Sequence, residues 1–224
     1  MNTRSANVVI KELIEAGVSI NVVYDIGANK GFWYSKWKSI LPEATFHLFE
    51  ANPLVVPNIK ISAGDTYNYT LLSNSFVPVD FHIPKEGYSS TGGSYYKELT
   101  PYYADDTITI NSATLDSVID EKGLCLPDFI KLDTQGSEVD IIRGGYKCVS
   151  NAKIILIEMP VLPYNANAPN FNDYILDLKR VGFIPTGVDD IRISKGVLIQ
   201  MDLVFVKRDL LDSLHNFSLS LLGV

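Results

Sequence analysis

The chain has 224 residues, 46% hydrophobic and 20% charged, a length and balance that supply the core of one globular domain without calling for a second. Its net charge of -7 and pI near 4.9 argue against a polyanionic partner, because nucleic-acid binding draws most of its affinity from Lys and Arg neutralising phosphates, and the 19 basic residues are scattered. No segment approaches the roughly 20 apolar residues of a membrane span. Met1–Val18 lacks the apolar core of a secretory leader, and Cys125 and Cys148 stand apart without metal-ligand spacing, which fits free thiols in a reducing cytoplasm.

Val8–Ala16 reads as a short amphipathic helix. Asn21–Tyr24 then reads as a buried strand that delivers Asp25 to its C-terminal edge. Ile26-Gly27-Ala28-Asn29-Lys30-Gly31 follows, with glycines that permit a tight turn and close approach of a ligand, and Phe32–Ile40 continues as a helix. Trp33 and Tyr34 in that helix read as core. The next strand, Thr45–Phe49, places Glu50 about 20 residues beyond the glycine turn, the separation at which an acid meets a ribose diol in doubly wound folds. The turn carries Asn29 at the middle position of a dinucleotide fingerprint and lacks its third glycine. An amide there suits a small zwitterionic amino-acid tail better than a pyrophosphate, with Asp25 facing the ammonium group. A ribose joined to such a tail describes S-adenosylmethionine. The expected cofactor residues are Asp25, Gly27, Ala28, Asn29, Gly31 and Phe32 from the turn, and Glu50, Ala51 and Asn52 from the second strand end.

Pro53–Ala63 reads as a helix and Tyr67–Leu72 as a strand, whose exit adds Ser73 to the cofactor set. Val77–Ile83 alternates as a half-buried antiparallel strand does, closed by Pro84 and Gly87. Tyr88–Tyr103 is rich in Gly and Tyr without a helical or strand period, so it reads as a substrate loop or lid carrying Ser94, Tyr95 and Tyr96. The stretch 76–112 as a whole reads as a β-rich insertion. Thr107–Ile110 is a strand, and Thr114 is the expected N-cap of the next helix. Phe129–Leu132 is a buried strand ending at Asp133, followed by an amphipathic helix from Gln135 to about Gly144. Lys153–Ile157 ends at Glu158, ahead of Met159-Pro160. A helix over Phe171–Gly182, strands over Phe183–Val188 and Met201–Val206, and a helix after Lys207 complete the chain. Strands alternating with helices indicate an α/β fold with an open, mostly parallel sheet and helices on both faces, and ligands bind such sheets at the strand C-terminal ends. Asp25, Glu50, Ser73, Asp133 and Glu158 are therefore expected in one crevice.

A sulfonium donor is already activated, so much of the catalytic work is holding an acceptor oxygen in line with its methyl carbon. A hydroxyl acceptor still benefits from a base. Asp133 is the first candidate for proton acceptance, with orientation of the substrate or the cofactor as its competing role, which adds it to the expected cofactor residues, and Glu158 is the second. Gln135 and Tyr164 join Ser94, Tyr95 and Tyr96 on the substrate side. Glu138 reads as structural, in a first turn where the helix dipole favours a carboxylate. His47, His82 and His215 lack ligand spacing, and Asp133 with Glu158 lack a third carboxylate, so no metal is expected.

The segments Asp25-Ile-Gly-Ala-Asn-Lys-Gly31, Phe46-His-Leu-Phe-Glu-Ala-Asn-Pro53, Thr114-Leu-Asp-Ser-Val118 and Phe129-Ile-Lys-Leu-Asp-Thr-Gln-Gly-Ser-Glu138, with Arg143-Gly-Gly145, together resemble the FkbM family of S-adenosylmethionine-dependent methyltransferases. The likeness runs from about Val22 to Glu158 and more weakly to Val206. It implies a Rossmann-like class I methyltransferase fold with a seven-stranded sheet whose last strand is antiparallel. It also implies O-methylation of a sugar, glycan-precursor or secondary-metabolite hydroxyl, and a cofactor site lined by Asp25, Gly27, Asn29, Gly31 and Glu50. Gln135 stands where the family often carries Glu, and Ser137 where Ala is frequent, so catalysis is not rested on position 135. The competing readings are a nicotinamide-dependent oxidoreductase, against which the incomplete glycine fingerprint counts, and a non-catalytic interaction protein on a cofactor fold. An amino-group methyltransferase is a further alternative, and the Asn-Pro-Pro-Tyr-type element it would carry is missing.

Overall fold

Strands that are apolar on every residue must be covered on both faces, which is the signature of parallel sheet centres. Three strands that are apolar but for one charged residue each, β1 (Val22–Ile26) with Asp25, β7 (Phe129–Leu132) with Lys131 and β8 (Ile154–Pro160) with Glu158, lie side by side in parallel at the middle of the molecule. The structure is a computed structural model and describes residues 5–84, 91–100 and 103–214. β2 (Thr45–Glu50) pairs in parallel with β1, and β3 (Thr66–Tyr69) closes that side. On the other side the long hairpin of β9 (Phe183–Ser194) and β10 (Val197–Lys207) adds β10 antiparallel to β8. The order is β3-β2-β1-β7-β8-β10-β9, the seven-stranded sheet with an antiparallel last strand that the resemblance implies.

Helices α1 (Ala6–Glu15), α2 (Phe32–Ile40) and α7 (Arg208–Ser213) cover one face, where Val9, Leu13, Trp37 and Leu211 pack with Phe46, Phe129 and Val204. The other face is covered by α3 (Leu115–Lys122), α4 (Glu138–Gly144), α5 (Tyr146–Asn151) and α6 (Phe171–Arg180), through Ile119, Ile142, Val149 and Leu178. Thr114 is the N-cap of α3, its hydroxyl accepting the Ser117 N–H. A second small sheet, β4 (Leu71–Ser73), β6 (Tyr103–Thr114) and β5 (Pro78–Pro84), stands beside the C-terminal edge of the first.

Several expectations need correcting. Pro53–Ala63 is not a helix. Pro57 cannot donate to a helical ladder, and the segment spends its polar groups on tertiary partners: Asn58 N–H on the Lys30 carbonyl, and Ser62 N–H on the Tyr34 hydroxyl. The strand expected over Tyr67–Leu72 divides at Thr70, whose N–H goes to the Glu50 carbonyl, after which Leu71–Ser73 leaves the main sheet and pairs with β6. The helix expected from Gln135 starts at Glu138, because Gln135 and Gly136 take left-handed backbone with φ of 58° and 107°. β9 and β10 run to a turn at Lys195-Gly196, well beyond the expected strands, and α5 was not foreseen. Residues 85–90, 101–102 and 215–224 lie outside the described residues, so Gly87, part of the expected 88–103 loop and His215 receive no structural account.

The glycine turn is a packing requirement. Gly27 has φ of 81°, its N–H and that of Ala28 bond to the Phe49 carbonyl, and a Cβ on it would lie 1.8 Å from the Asp133 carbonyl oxygen. Gly27→Ala should therefore destabilise the protein by about 2–5 kcal/mol, left-handed strain plus overpacking. Gly64→Ala, with the same backbone hand and no atom within 4 Å of the added Cβ, should cost only about 1–2 kcal/mol in urea unfolding.

Candidate active site

Glu50 ends β2 with its side chain buried, Oε2 accepting the Asn29 N–H at 2.7 Å and Oε1 the Asn52 N–H at 2.8 Å. Burial raises its pKa, and the two N–H bonds pull it back. The carboxylate thus bridges the first two strand-to-loop turns and keeps lone pairs for a ligand. Asn29 is in left-handed backbone, φ 46°, and its side-chain oxygen accepts the Lys30 N–H, so part of the amide is spent on the turn itself.

Asp25 does not reach the sheet edge. β1 continues through Ile26, which leaves Asp25 fully buried with Oδ1 3.4 Å from the Lys131 ammonium. Lys131 also lies 3.1 Å from Asp133 and donates to the Gly27 carbonyl at 3.1 Å. Burial works against its charge, and the two carboxylates outweigh that and hold it protonated.

Beyond β7 the backbone turns through Asp133, Thr134 and Gln135. Glu138, at the start of α4 and buried, fixes this turn by accepting the Thr134 and Gly136 N–H groups at 2.6 and 3.0 Å and the Tyr174 hydroxyl at 2.7 Å. The Gln135 side-chain amide donates to Asp133 at 3.0 Å and to Glu158 at 2.8 Å, so one residue spans both candidate catalytic carboxylates. The Tyr164 hydroxyl donates toward Glu158 at 3.3 Å and Gln200 at 3.1 Å. Burial pushes the Glu158 carboxyl well above the ordinary range, with Asp133, Glu138 and Asp202 adding to it. Asp202, paired with Glu158 across β10 and β8, is raised to about 7, by burial first and then by Asp133 and Asp190.

Glu50, Asp133, Gln135, Glu158 and Tyr164 border one cavity of about 800 Å³ at the C-terminal edge of the sheet, while Lys131, Glu138 and Asp202 stand behind its wall. Of the expected cofactor residues, Gly27, Asn29, Glu50, Ala51, Asn52 and Asp133 line it. So do Glu158 and the expected substrate residues Ser94, Tyr95, Gln135 and Tyr164. Asp25 and Ala28 lie beneath the turn, Gly31 packs on Ile59, Phe32 is 64% exposed, and Ser73 ends a strand of the small sheet, its hydroxyl against Tyr95. Tyr96 is also absent from the lining. Both Tyr95 and Tyr96 donate to Asp140, at 2.7 and 2.6 Å, and Asn74 adds a third bond to it at 2.8 Å. The cavity also takes Arg192, Ser194 and Gln200 from the β9–β10 hairpin and apolar Leu71, Leu72 and Ile141, none of them foreseen. The alternation around Lys195-Gly196 was the available signal for the hairpin residues.

Residues 25–185 match the profile of the methyltransferase FkbM domain. The chain belongs to this family. The 2-O-methyltransferase NoeI of Sinorhizobium fredii is 26% identical over 152 residues, 61% of this chain and 62% of that protein. The hexuronic acid methyltransferase AglP of Haloferax volcanii is 22% identical over 159 residues, 67% of this chain and 61% of that protein. The FkbM chain therefore spans about six-tenths of the length of these relatives. Among solved structures, precorrin-6y C5,15-methyltransferase of Geobacter metallireducens aligns over 89% of this chain and 87% of its own, with 13% identity and a TM-score of 0.44.

In this FkbM domain Asp140 is the tether of the segment over the cavity. Asp140→Ala removes three acceptor contacts and leaves two half-buried hydroxyls without their acceptor, Tyr95 keeping only Ser73, so a loss of about 2–4 kcal/mol is expected. Limited proteolysis should then cut first within residues 91–100, ahead of any cut in the main sheet.

Proposed function

We propose that this protein transfers a methyl group from S-adenosylmethionine to a hydroxyl of a carbohydrate or related small molecule. The observation that carries the reading is that Glu50 from the end of β2, Asp133 and Gln135 from the turn after β7, and Glu158 from the C-terminal part of β8 face the same cavity. The residues present fit the donor. Glu50 is placed for a ribose diol, Leu71, Leu72 and Ile141 offer an apolar wall for a base, and Gly27, Asn29 and Asp133 border the space for a small charged tail. When bound, the donor supplies an electrophilic methyl group on a sulfonium. The chain's part is to hold the acceptor oxygen in line and exclude water, for which the covered cavity is suited.

The acceptor half is lined by Gln135, Tyr164, Ser194 and Gln200, and amides, hydroxyls and an aromatic ring are the groups that pair with sugar hydroxyls. The activities for which the two relatives are named, 2-O-methyltransferase and hexuronic acid methyltransferase, support a sugar acceptor. No helix among the described residues is long and apolar enough to cross a membrane. We place the reaction in the cytoplasm, in keeping with the free thiols of Cys125 and Cys148, and the net charge of -7 favours a partner other than nucleic acid.

Calorimetric titration tests the donor. S-adenosylmethionine should bind and NAD should not, and Glu50→Ala should weaken binding roughly 10–100-fold, the worth of charge-assisted hydrogen bonds. Binding of NAD, or of neither, defeats the reading.

A further inference from the structure

Asp133 and Glu158 stand one residue beyond the Leu132–Ile157 pair, Asp133 just past the end of β7 and Glu158 still inside β8, which runs to Pro160 and not to the expected end at Glu158, and they are held differently. Asp133 has both oxygens committed, Oδ2 to the Lys131 ammonium at 3.1 Å and Oδ1 to the Gln135 amide at 3.0 Å. Glu158 has no cation within ion-pair distance among the described residues. Its Oε1 takes the other Gln135 amide hydrogen at 2.8 Å and the Tyr164 hydroxyl at 3.3 Å, while Oε2 has no hydrogen bond or ion pair among the described residues. Gln135 is kept in this bridging position at a conformational cost. Its φ of 58° is unfavourable for a residue with a Cβ, and the Asn165 side-chain amide donates to its backbone carbonyl, bracing the turn. Because the amide donates to both carboxylates, the two oxygens facing it are acceptors, and a proton on Glu158 belongs on Oε2.

We propose that Glu158 takes the proton of the acceptor hydroxyl, that a cationic donor in the adjoining half of the cavity frees it to do so, and that Gln135 is the positioning residue that reserves Oε2 for the task. The inference rests on the methyl-transfer reading above. The groups facing Glu158 are Asp133 and Lys131 from β7, Glu138 from α4, Asp202 from β10 and Tyr164 after β8. Burial and the three carboxylates favour its protonated form, and Lys131 with the Gln135 and Tyr164 donors opposes them. A sulfonium arriving beside it adds a positive charge, so the proton leaves to solvent. In the chemical step the acceptor oxygen forms its bond to the methyl carbon as the carbon–sulfur bond breaks. The electron pair of that bond returns to sulfur, and the hydroxyl proton passes to Oε2. Asp133, already neutralised by Lys131, orients the bound groups.

The test uses the intact protein and S-adenosylmethionine as the probe, titrated near neutral pH in two buffers of different ionisation enthalpy, which reports protons released on binding. Wild type should release roughly one proton per donor bound, Glu158→Gln should bind the donor and release none, and Asp133→Asn should still release, with its midpoint moved to lower pH because a carboxylate that raises Glu158 is gone. Gln135→Leu should move the midpoint of release to higher pH, because the Glu158 anion loses a donor. In wild type alone, a protonated-carboxyl infrared band should disappear as the donor binds, a readout that needs no variant to fold. Equal release from Glu158→Gln, release lost only in Asp133→Asn, or binding without release in wild type overturns the proposal. Failure of wild type to bind the donor at all would instead defeat the methyl-transfer reading itself, a result distinct from binding without proton release.

Discussion

The buried ammonium of Lys131 is the point on which the rest of the site depends. It sits in an otherwise apolar strand, between Asp25 at 3.4 Å and Asp133 at 3.1 Å, and donates to the Gly27 carbonyl. An unpaired charge at that depth costs several kcal/mol, so the arrangement is stable only with its partners in place. The consequence is geometric. The exits of β1 and β7 are drawn together until the glycine turn rests on the Asp133 carbonyl, and the cavity opens directly above that junction.

Two further carboxylates organise the walls. Glu138 and Asp140 are two residues apart on α4, both buried; Glu138 collects the N–H groups of the turn before it and the distant Tyr174 hydroxyl, and Asp140 collects three donors from segments distant in sequence. Glu138 shapes the turn that presents Gln135, and Asp140 ties down the segment carrying Tyr95 and Tyr96, whose rings lie 4.6 Å apart. The tyrosines are thereby anchoring groups, their hydroxyls spent on Asp140. Buried polar groups that satisfy one another in this way confer a particular geometry more than they add net stability. A short helix with two acids in its first turn thus positions both the floor and the cover of the cavity.

The main sheet was legible because its period is a local property. Val22–Tyr24, Phe46–Phe49, Phe129–Leu132 and Ile154–Ile157 are largely apolar runs bounded by polar or turn residues, and each lies in a strand. Glu50, Asp133 and Glu158 were legible for the same reason, each being the first acid after such a run. Asp25 misled because an acid inside the last residues of a strand looks the same in sequence as one just beyond it. Only Lys131 on the neighbouring strand, 106 positions along the chain by number, explains why it is buried there. Pro53–Ala63 misled because its helical appearance took no account of the Lys30 carbonyl and the Tyr34 hydroxyl that claim its polar groups.

By itself, the sequence determined the central strands of the main sheet, the glycine turn, and the acids Glu50, Asp133 and Glu158 toward the C-terminal ends of those strands, since these follow from apolar period and backbone permission within a few residues. The tertiary structure alone decided which of those acids meet, that Gln135 bridges two of them, and that Arg192, Ser194 and Gln200 reach the cavity from the far hairpin. Each of these depends on the lateral placement of strands and on what neutralises or hydrogen-bonds a buried group, and such partners come from residues far apart in the chain.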